Sequence, residues 1–516
     1  MNGLTMDGTG QRSMGWMAWV AGLMLVFAPL VRGANRPLAL LALELLALLL
    51  LAGAVARPVF VERLSRPLLL ALAMMVAVPL LQLAPLPFEL GATLPGHGAY
   101  AVAQREAGAA PDWLALSTVP YLTEQALWAL LPPLAVFLVV VGLDDTRVRR
   151  LVMVFVAVAV FQAVMGLMQY GAGPESALRF GYESSGDSAI GTYANRGHLA
   201  GLLLMALPIG LALLASTIFS LDESASRRQR RGGALYRLKA LVAGEGEMNR
   251  TAVYAAVCIA LLLGIVFARS RSGIALGMVG VVLSAVVLMR NFGAGFATRM
   301  VGAVSALGVA LAVAIGLAPV FARFAQDATA DARWPILDAT LEAASAFFPF
   351  GSGMGTFPAV IRAFHPAEIG GEVYINHAHN DFAEWWMEGG VPVLVLMLTL
   401  AAIYLLRWRA VWAVRNWRPL HMMQVGAGLG VLLILLFGLT DYNLRIPANA
   451  VYFAFLAAVF FHPGERERER RRREERRRPA AVAEPVAAQA RAEPVVPPMT
   501  WAGEAGAGAG RNPFAD

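Results

Sequence analysis

The stretch that decides the fold is INHAHNDFAEWWMEGGVPVLVLMLTL, residues 375–400. Its part before Gly389 holds two histidines, two asparagines, an aspartate and two glutamates, and an uninterrupted apolar run follows. Apolar runs of about twenty residues, the length that crosses roughly 30 Å of hydrocarbon, recur along the whole chain. The sequence therefore predicts a membrane protein that keeps polar chemistry at the mouth of a helix.

The composition points to the same fold class. Of the 516 residues, 58% are hydrophobic, and the mean hydropathy is +0.60. We predict an all-α fold, a polytopic integral membrane helical bundle of about twelve transmembrane helices, with a large loop between helices 9 and 10. The predicted spans are 14–32, 37–56, 67–84, 123–142, 150–170, 197–219, 251–268, 273–289, 300–321, 391–408, 421–439 and 447–462.

Basic residues set the predicted orientation. Connections rich in arginine or lysine alternate with poorer ones, and the basic run GERERERRRREERRRP (464–479) follows the last span. By the positive-inside rule, both termini are then cytoplasmic. This distribution also accounts for the net charge of +7, so nucleic acid is not an expected partner. The connections expected on the opposite, periplasmic side are 85–122, 171–196, 269–272, 322–390 and 440–446.

Several arginines are predicted on the outer side, where the positive-inside rule disfavours them. In DARWPIL (331–337), Asp331 can cap a helix and Pro335 fits its first turn, so Arg333 would oppose the helix dipole and is not there for helix stability. A guanidinium binds phosphate oxygens bidentately and stays charged, which suits a lipid-linked diphosphate. The alternative is that these arginines only reach to lipid headgroups. The others of interest are Arg196, Arg269, Arg271 and Arg445.

The histidine segment offers a candidate general base. His379 is followed by Asn380 and Asp381 where a helix would begin, and an imidazole with a nearby carboxylate or carbonyl partner accepts protons near neutral pH. For His377 we expect a hydrogen-bonded structural role. A metal site built on these two histidines and Asp381 is the alternative, but the sequence offers no clear completing ligands. No metal site is predicted.

A glycine pattern, PFGSGMGTF (349–357), lies upstream of the histidines. No strand precedes it, as a nucleotide-binding fold would require. The pattern therefore predicts a tight turn, with ligand contacts by its backbone amides as the alternative.

These motifs, in this order, resemble the O-antigen ligase and O-antigen polymerase superfamily of bacterial envelope glycosyltransferases. The resemblance covers roughly residues 190–460 and rests on GTYANRGHLAG (191–201), ARSRSG (268–273), RW (333–334) followed by the glycine pattern, HAHNDFAEWWMEGGVP (377–392) and DYNLRIPANA (441–450). It implies three segments. They are N-terminal transmembrane helices (1–190), an O-antigen ligase-like catalytic transmembrane region with a periplasmic loop at 322–390 (191–463), and a cytoplasmic charged and disordered tail (464–516).

The resemblance implies an activity and partners. Such enzymes move a glycan from undecaprenyl diphosphate to an acceptor hydroxyl at the periplasmic face of the inner membrane, without metal or other cofactor. The expected partners are that donor, a lipid A core or glycan acceptor, and membrane lipids. Carried onto this sequence, Arg271 or Arg269 matches the first diphosphate-binding arginine, Arg333 the second, and His379 the base. The supporting residues would be Arg196, Asn380, Asp381, His377 and Arg445.

Two other functions compete with the ligase. A polymerase of exopolysaccharide or O-antigen repeat units belongs to the same superfamily and differs only in its acceptor. A lipid-linked glycan flippase or transporter would need charges or broken helices near the bilayer midplane. Glu44 and Glu124 are nearly the only carboxylates within or entering a predicted span. Because the other polar groups gather at one surface, the pattern favours an enzyme over a transporter.

Overall fold

The structure is a computed structural model in which most of the chain is helical. Within 218–230, 234–248 and 291–292 it describes the backbone alone. The predicted span 300–321, the predicted cap Asp331 and the predicted tail beyond Gly464 lie outside the described residues. The residues described are 14–57, 64–109, 112–181, 188–230, 234–292, 332–366, 369, 374–414 and 417–464.

Sixteen α-helices and two short strands follow one another along the described ranges. The first part comprises α1 (Gly15–Phe27), α2 (Pro37–Val55), α3 (Arg66–Gln82), β1 (Pro85–Pro87), α4 (Phe88–Ala92), α5 (Gly98–Glu106), β2 (Trp113–Ala115), α6 (Pro120–Ala129), α7 (Leu131–Gly142) and α8 (Asp145–Ala172). The second part comprises α9 (Arg196–Arg230), α10 (Ala234–Phe267), α11 (Arg271–Phe292), α12 (Arg333–Ala346), α13 (Phe357–Val360), α14 (Asp381–Trp412), α15 (Pro419–Phe437) and α16 (Pro447–Phe461).

Most predicted spans coincide with apolar helices. Among the described residues, eight helical segments are long and apolar enough to cross a membrane, and three shorter apolar helices, α1, α3 and α16, match further predicted spans. The total of twelve and the position of the large loop stay predictions, because the ninth span is not described. The eight are Pro37–Val55, Pro120–Gly142, Asp145–Ala172, Arg196–Thr217, Asn249–Phe267, Arg271–Arg290, Asp381–Trp412 and Pro419–Phe437.

The core of the bundle is built around α9. In its span Arg196–Thr217, 94% of the apolar window is buried, against 28% for α2. Helix α15 packs along α9 through a stripe of small residues. A Cβ added at Gly426 would lie 2.8 Å from the Cα of Ile209, and one added at Gly430 would lie 2.6 Å from the carbonyl oxygen of Met205. Glycines spaced four apart let two membrane helices approach backbone to backbone.

Helix α14 is broken inside its length. Gly390 has φ 55° and ψ −145°, and the N–H of Val391 donates to the carbonyl of Pro349 at 2.9 Å. The break separates the polar half-helix 381–389 from the predicted span at 391–408. Irregular backbone at a membrane surface is tolerated where protein covers it and supplies its hydrogen bonds. The half-helix can therefore direct its side chains independently of the span.

The glycine pattern folds as the turn that the sequence predicted. The N–H groups of Ser352 and Gly353 donate to the carbonyls of Met387 and Glu388, at 3.0 and 2.9 Å. The N–H of Met354 donates to Oε1 of Gln82 at 2.9 Å. These three amides are bonded within the protein, so the loop serves to hold α14 against the end of α3.

The connection between α3 and α6 carries its own structure. Strands β1 and β2 pair antiparallel, with Leu86 opposite Leu114, and α4 and α5 lie between them in sequence. The N–H of Thr118 donates to the carbonyl of Ser352 at 2.8 Å. This part of the chain is thereby attached to the glycine turn.

A glycine substitution tests the central helix contact. We expect Gly426→Ala to cost about 1–3 kcal/mol of stability, because its Cβ would meet the backbone of α9. Gly171→Ala in α8 is the matched control, since an added Cβ has nothing within 4 Å there. Thermal unfolding in detergent measures both, and equal unfolding temperatures for the two variants would contradict the packing described.

Candidate active site

A buried carboxylate, that of Asp441, lies in the connection between α15 and α16 at one end of the bundle. The connection 438–446 turns back on itself, with the N–H groups of Thr440 and Asp441 donating to the carbonyl of Phe437 at 2.9 and 3.0 Å. Asp441 is only 2% exposed, and its Oδ1 accepts the N–H of Tyr442 at 3.0 Å. A buried carboxylate needs positive or hydrogen-bonding partners to remain charged, and the site is built from those partners.

Asp441 brings together two residues that the sequence predicted as functional. Its Oδ1 lies 3.3 Å from Nδ1 of His379, and its Oδ2 lies 3.7 Å from Nη2 of Arg333. Burial by itself would raise the pKa of this carboxyl, but the hydrogen bond with His379 and the charges of His198, Arg333 and His379 lower it to about 2. The carboxylate is therefore ionised at every physiological pH.

The ionised carboxylate determines which imidazole nitrogen is basic. A carboxylate can only accept hydrogen bonds, so the Nδ1 of neutral His379 carries the proton that faces Asp441. The lone pair is then on Nε2. The His379 side chain is 25% exposed, which leaves the ring open to a substrate from one side.

Local sequence explains how His379 reaches this position. Its φ is +51°, a left-handed conformation that is uncommon for a residue with a side chain and typical of functional sites. Asn380 then caps α14, because its Oδ1 accepts the N–H groups of Phe382 and Ala383 at 3.1 and 3.0 Å. The N–H of Asp381 donates to the carbonyl of Gly438 at 2.8 Å. The segment is thus tied to the loop that carries Asp441.

Asp381 has a structural part in this arrangement. It is fully buried, and its Oδ2 accepts the N–H of Leu444 at 3.1 Å. The carboxylate that contacts His379 is Asp441, 62 residues further along the chain. Sequence reasoning placed Asp441 in the DYNLRIP motif without giving it a role, and its signal was a lone acidic residue in a predicted outer turn.

Three histidine rings surround Tyr442. His377 stacks on it with centroids 4.3 Å apart, while His198 and His379 each meet it edge-on at 4.9 Å. Burial raises the pKa of Tyr442, so the phenol remains protonated. The Tyr442 ring packs against His377 and His379 and helps to fix the positions of both side chains.

A second ionic cluster lies beside the first and is almost closed to solvent. Nη2 of Arg445 lies 2.6 Å from Oε2 of Glu388, and its Nε lies 3.2 Å from Oε1 of Glu384. Glu384 also bonds Nδ1 of His377 at 2.9 Å and accepts the N–H of Ala378 at 2.8 Å. These contacts tie His377 and Arg445 to the half-helix 381–389, and the roles expected of the two residues stay predictions.

Glu388 extends this cluster to the rest of the fold. Its Oε1 accepts the N–H of Phe357 at 3.1 Å, and its carbonyl accepts Nε2 of Gln82 at 2.9 Å. Neither Glu384 nor Glu388 has a role predicted from the sequence. Nothing in the local sequence indicates that both face one buried arginine.

The turn between α10 and α11 lies next to the first turn of α9. Arg269 has φ +54°, its N–H donates to the carbonyl of Val266 at 2.9 Å, and Ser270 caps α11 through the N–H of Gly273 at 3.2 Å. A Cβ added at Gly273 would lie 3.0 Å from the Cβ of Ala200. The role of Arg269 or Arg271 in binding diphosphate stays a prediction.

The first turn of α9 also contacts Asp441. A Cβ added at Gly197 would overlap Oδ2 of Asp441, so a glycine lets this helix approach the carboxylate. Arg196, the first residue of α9, donates from Nη1 to Oγ of Ser188 at 3.4 Å. The ARSRSG turn and Asp441 thus both adjoin the same helical turn.

The described ranges contain no group of three or more His, Cys, Asp or Glu side chains placed to hold a metal ion. His377 and His379 each face a carboxylate of their own. Their contacts are those of hydrogen-bonded pairs, with Glu384 and Asp441 as partners.

The central part of the chain matches a known family. Residues 256–398 fit the family model described as O-Antigen ligase. Over these residues the chain is similar to the O-antigen ligase family, which agrees with the resemblance seen in the motifs. The match and the apolar helices together fit a bacterial inner-membrane protein of polysaccharide biosynthesis. No curated protein matches the chain.

The family match covers only part of the site. The matched segment contains Arg269, Arg271, Arg333 and His379, whereas Asp441 lies beyond its end. Helix α9, which contacts Asp441 through Gly197, lies before it. The complete geometry therefore depends on helices outside the matched region.

The closed ionic cluster generates a stability prediction. Arg445→Ala would leave Glu384 and Glu388 as buried carboxylates without their cation, and we expect a loss of about 3–5 kcal/mol. Arg105→Ala is the matched control, because Arg105 pairs with Glu89 at 2.6 Å on the surface, with the two side chains 51% and 85% exposed. That change should cost less than about 1 kcal/mol.

Thermal unfolding in detergent measures both arginine variants. A shift for Arg445→Ala no larger than that for Arg105→Ala would contradict the structural role of the cluster.

Proposed function

We propose that this protein transfers a glycan from undecaprenyl diphosphate to an acceptor hydroxyl at the periplasmic face of the inner membrane. One observation carries the proposal: Asp441 holds a guanidinium and an imidazole, those of Arg333 and His379, at one carboxylate. Transfer from a lipid diphosphate needs a cation at the leaving group and a base at the attacking oxygen. The guanidinium of Arg333 and the imidazole of His379 lie close enough together to contact one substrate.

His379 would act on the acceptor. Its Nε2 takes the proton from the acceptor hydroxyl as the oxygen attacks the anomeric carbon of the donor sugar. The imidazolium that forms is stabilised by the ionised Asp441. Fixing the hydroxyl in line with the scissile bond lowers the barrier further, because the approach is already oriented.

Arg333 would act on the leaving group. As the bond between the anomeric carbon and the phosphate oxygen breaks, undecaprenyl diphosphate departs with the electron pair, and nearby guanidinium groups neutralise its charge. The Arg333 side chain is 40% exposed, so part of its five-donor fork can face phosphate oxygens while the rest faces Asp441. Arg271 or Arg269 would supply a second cation from the neighbouring turn.

The single displacement inverts the configuration at the anomeric carbon. The stereochemistry of the purified product tests this step directly. Retention of configuration would exclude the single displacement, while leaving the identity of the substrates unaffected.

The positions of Asp441 and His379 lead to a kinetic prediction. In a transfer assay with a lipid-diphosphate-linked glycan, we expect His379→Ala and Asp441→Asn to lower kcat by about 10²-fold or more, because the base is lost or loses its orienting partner. Asp338→Asn, an exposed change on α12, is the control and should keep normal activity. Normal transfer by folded His379→Ala protein would disprove the base assignment.

The pKa of Asp441 specifies a pH dependence. The folded value of about 2 lies below the ordinary 3.8, so folding favours the ionised form. Its stabilising contribution is complete above about pH 4 and is lost as the pH falls through about 2. Titration of Asp441 should therefore not appear in a pH–rate profile recorded between about pH 5 and 9.

The positive charge of Arg333 leads to a further kinetic prediction. Arg333→Gln should reduce kcat/KM for the lipid-diphosphate donor by about 10²-fold or more, since a preorganised donor to the developing charge is lost. Arg333→Lys should recover part of this loss, because it restores the charge without the bidentate geometry. Arg362→Gln, an exposed arginine of the same loop, is the control. Equal activity of the Gln and Lys variants would argue against an electrostatic role.

A further inference from the structure

A partly open cavity lies apart from the carboxylate site, in the connection between α3 and α6. Its volume is about 110 Å³, and it is lined by α5, strand β2 and the start of α6. A space of this size holds roughly four water molecules, and one sugar ring with its hydroxyls fills a volume of that order. The side chains that give it its chemistry are His97, Tyr100, Gln104, Trp113, Ser117 and Thr118.

The lining suits a neutral ring that carries hydroxyl groups. Trp113 and Tyr100 supply aromatic surface, and the Trp113 side chain is 58% exposed. None of the lining residues is Asp, Glu, Lys or Arg. Ligand pockets typically combine aromatic walls with a few placed polar groups. The cavity therefore favours an uncharged sugar over a phosphate or a cation.

Gln104 offers a place for a ligand hydroxyl. Its Oε1 is buried and has no hydrogen-bond donor among the described residues. A buried acceptor without a donor costs free energy, which a bound hydroxyl would recover. A sugar hydroxyl bound in the cavity would donate the hydrogen bond that this oxygen lacks.

The walls of the cavity are held in place without a ligand. The two ring nitrogens of His97 lie 2.8 and 2.7 Å from the carbonyls of Pro95 and Leu116. Thr118 donates from Oγ1 to the carbonyl of Ser352 at 3.0 Å. A preformed site loses little conformational entropy when it binds.

The cavity lies at a defined distance from the proposed reacting bond. Phe347 follows the last residue of α12, and its ring meets His97 at 5.8 Å and Tyr100 at 6.3 Å. Arg333 begins the same helix. At 1.5 Å per residue, the two ends of α12 are about 20 Å apart. A glycan of several sugars is needed to span that length.

We propose that this cavity binds one neutral sugar unit of the glycan chain, several units away from the bond that reacts. The proposal rests on the proposed function, because the transfer reaction is what brings a glycan to this face of the protein. Either the donor chain or the acceptor chain supplies the same chemistry. The experiment separates these two sources.

The first test measures binding without catalysis. Oligosaccharides released from the surface polysaccharide of the source cells, free of lipid and phosphate, are mixed with the full-length protein in detergent. Saturation-transfer-difference NMR should show contact with an internal sugar, and Trp113→Ala and Gln104→Leu should each weaken binding about ten-fold. Trp128→Ala, an exposed tryptophan that does not line the cavity, should bind as wild type does.

The second test measures transfer with chains of different length. For Trp113→Ala we expect KM to rise about ten-fold for a long chain with kcat unchanged, and to be unaffected for a substrate with a single sugar. A rise confined to long donors identifies the donor as the occupant, and a rise confined to long acceptors identifies the acceptor. A cavity that holds only water predicts no change with either.

The two tests distinguish a failure of the proposed sugar site from a failure of the proposed function. If wild-type protein binds the oligosaccharide but transfers nothing from a lipid diphosphate, the proposed function fails and the sugar site stands. If transfer occurs while Trp113→Ala and Gln104→Leu, both with wild-type unfolding temperatures, bind and turn over as wild type does, the sugar site is overturned alone. The absence of an NMR contact with wild-type protein also overturns it.

Discussion

A buried carboxylate with a guanidinium and an imidazole as neighbours organises this end of the protein. Removing a charge from water is costly unless other groups replace the lost hydration, so Asp441 constrains every element that approaches it. His379 hydrogen-bonds to it, Arg333 lies beside it as a cation, and Gly197 gives α9 the room to reach it. Three parts of the chain that are distant in sequence must therefore meet at one point.

The two clusters differ in how exposed their arginines are and in how close those arginines lie to carboxylates. Arg445, with its side chain 13% exposed, is enclosed by Glu384 and Glu388, and it fixes the half-helix 381–389 against the glycine turn. Arg333 is more exposed and makes a longer contact. Arg445 is buried between two carboxylates and stabilises the fold, whereas the side chain of Arg333 is 40% exposed. The contacts of Arg445 thus hold the half-helix 381–389 in place.

Helices outside the family match contribute to the geometry at this end of the bundle. Gln82 of α3 bonds both the glycine turn and Glu388, and His198 of α9 packs on Tyr442. The aromatic cavity around Trp113 also lies before the matched segment. These early helices resemble other membrane helices in composition alone, yet they contribute to the surroundings of both His379, the proposed base, and the proposed sugar site.

The sequence by itself determined the membrane class, most of the span positions and the start of α14 at Asp381, because these depend on local apolar length and capping. Only the tertiary structure decided that Asp441 is the partner of His379, that Glu384 and Glu388 share Arg445, and that α14 breaks at Gly390 under the glycine turn. The ionic pairings among these join residues far apart in the chain, 62 positions for His379 and Asp441 and 57 for Glu388 and Arg445, and their energy comes from burial of charge. No local pattern of residues encodes which distant cation a buried carboxylate will meet.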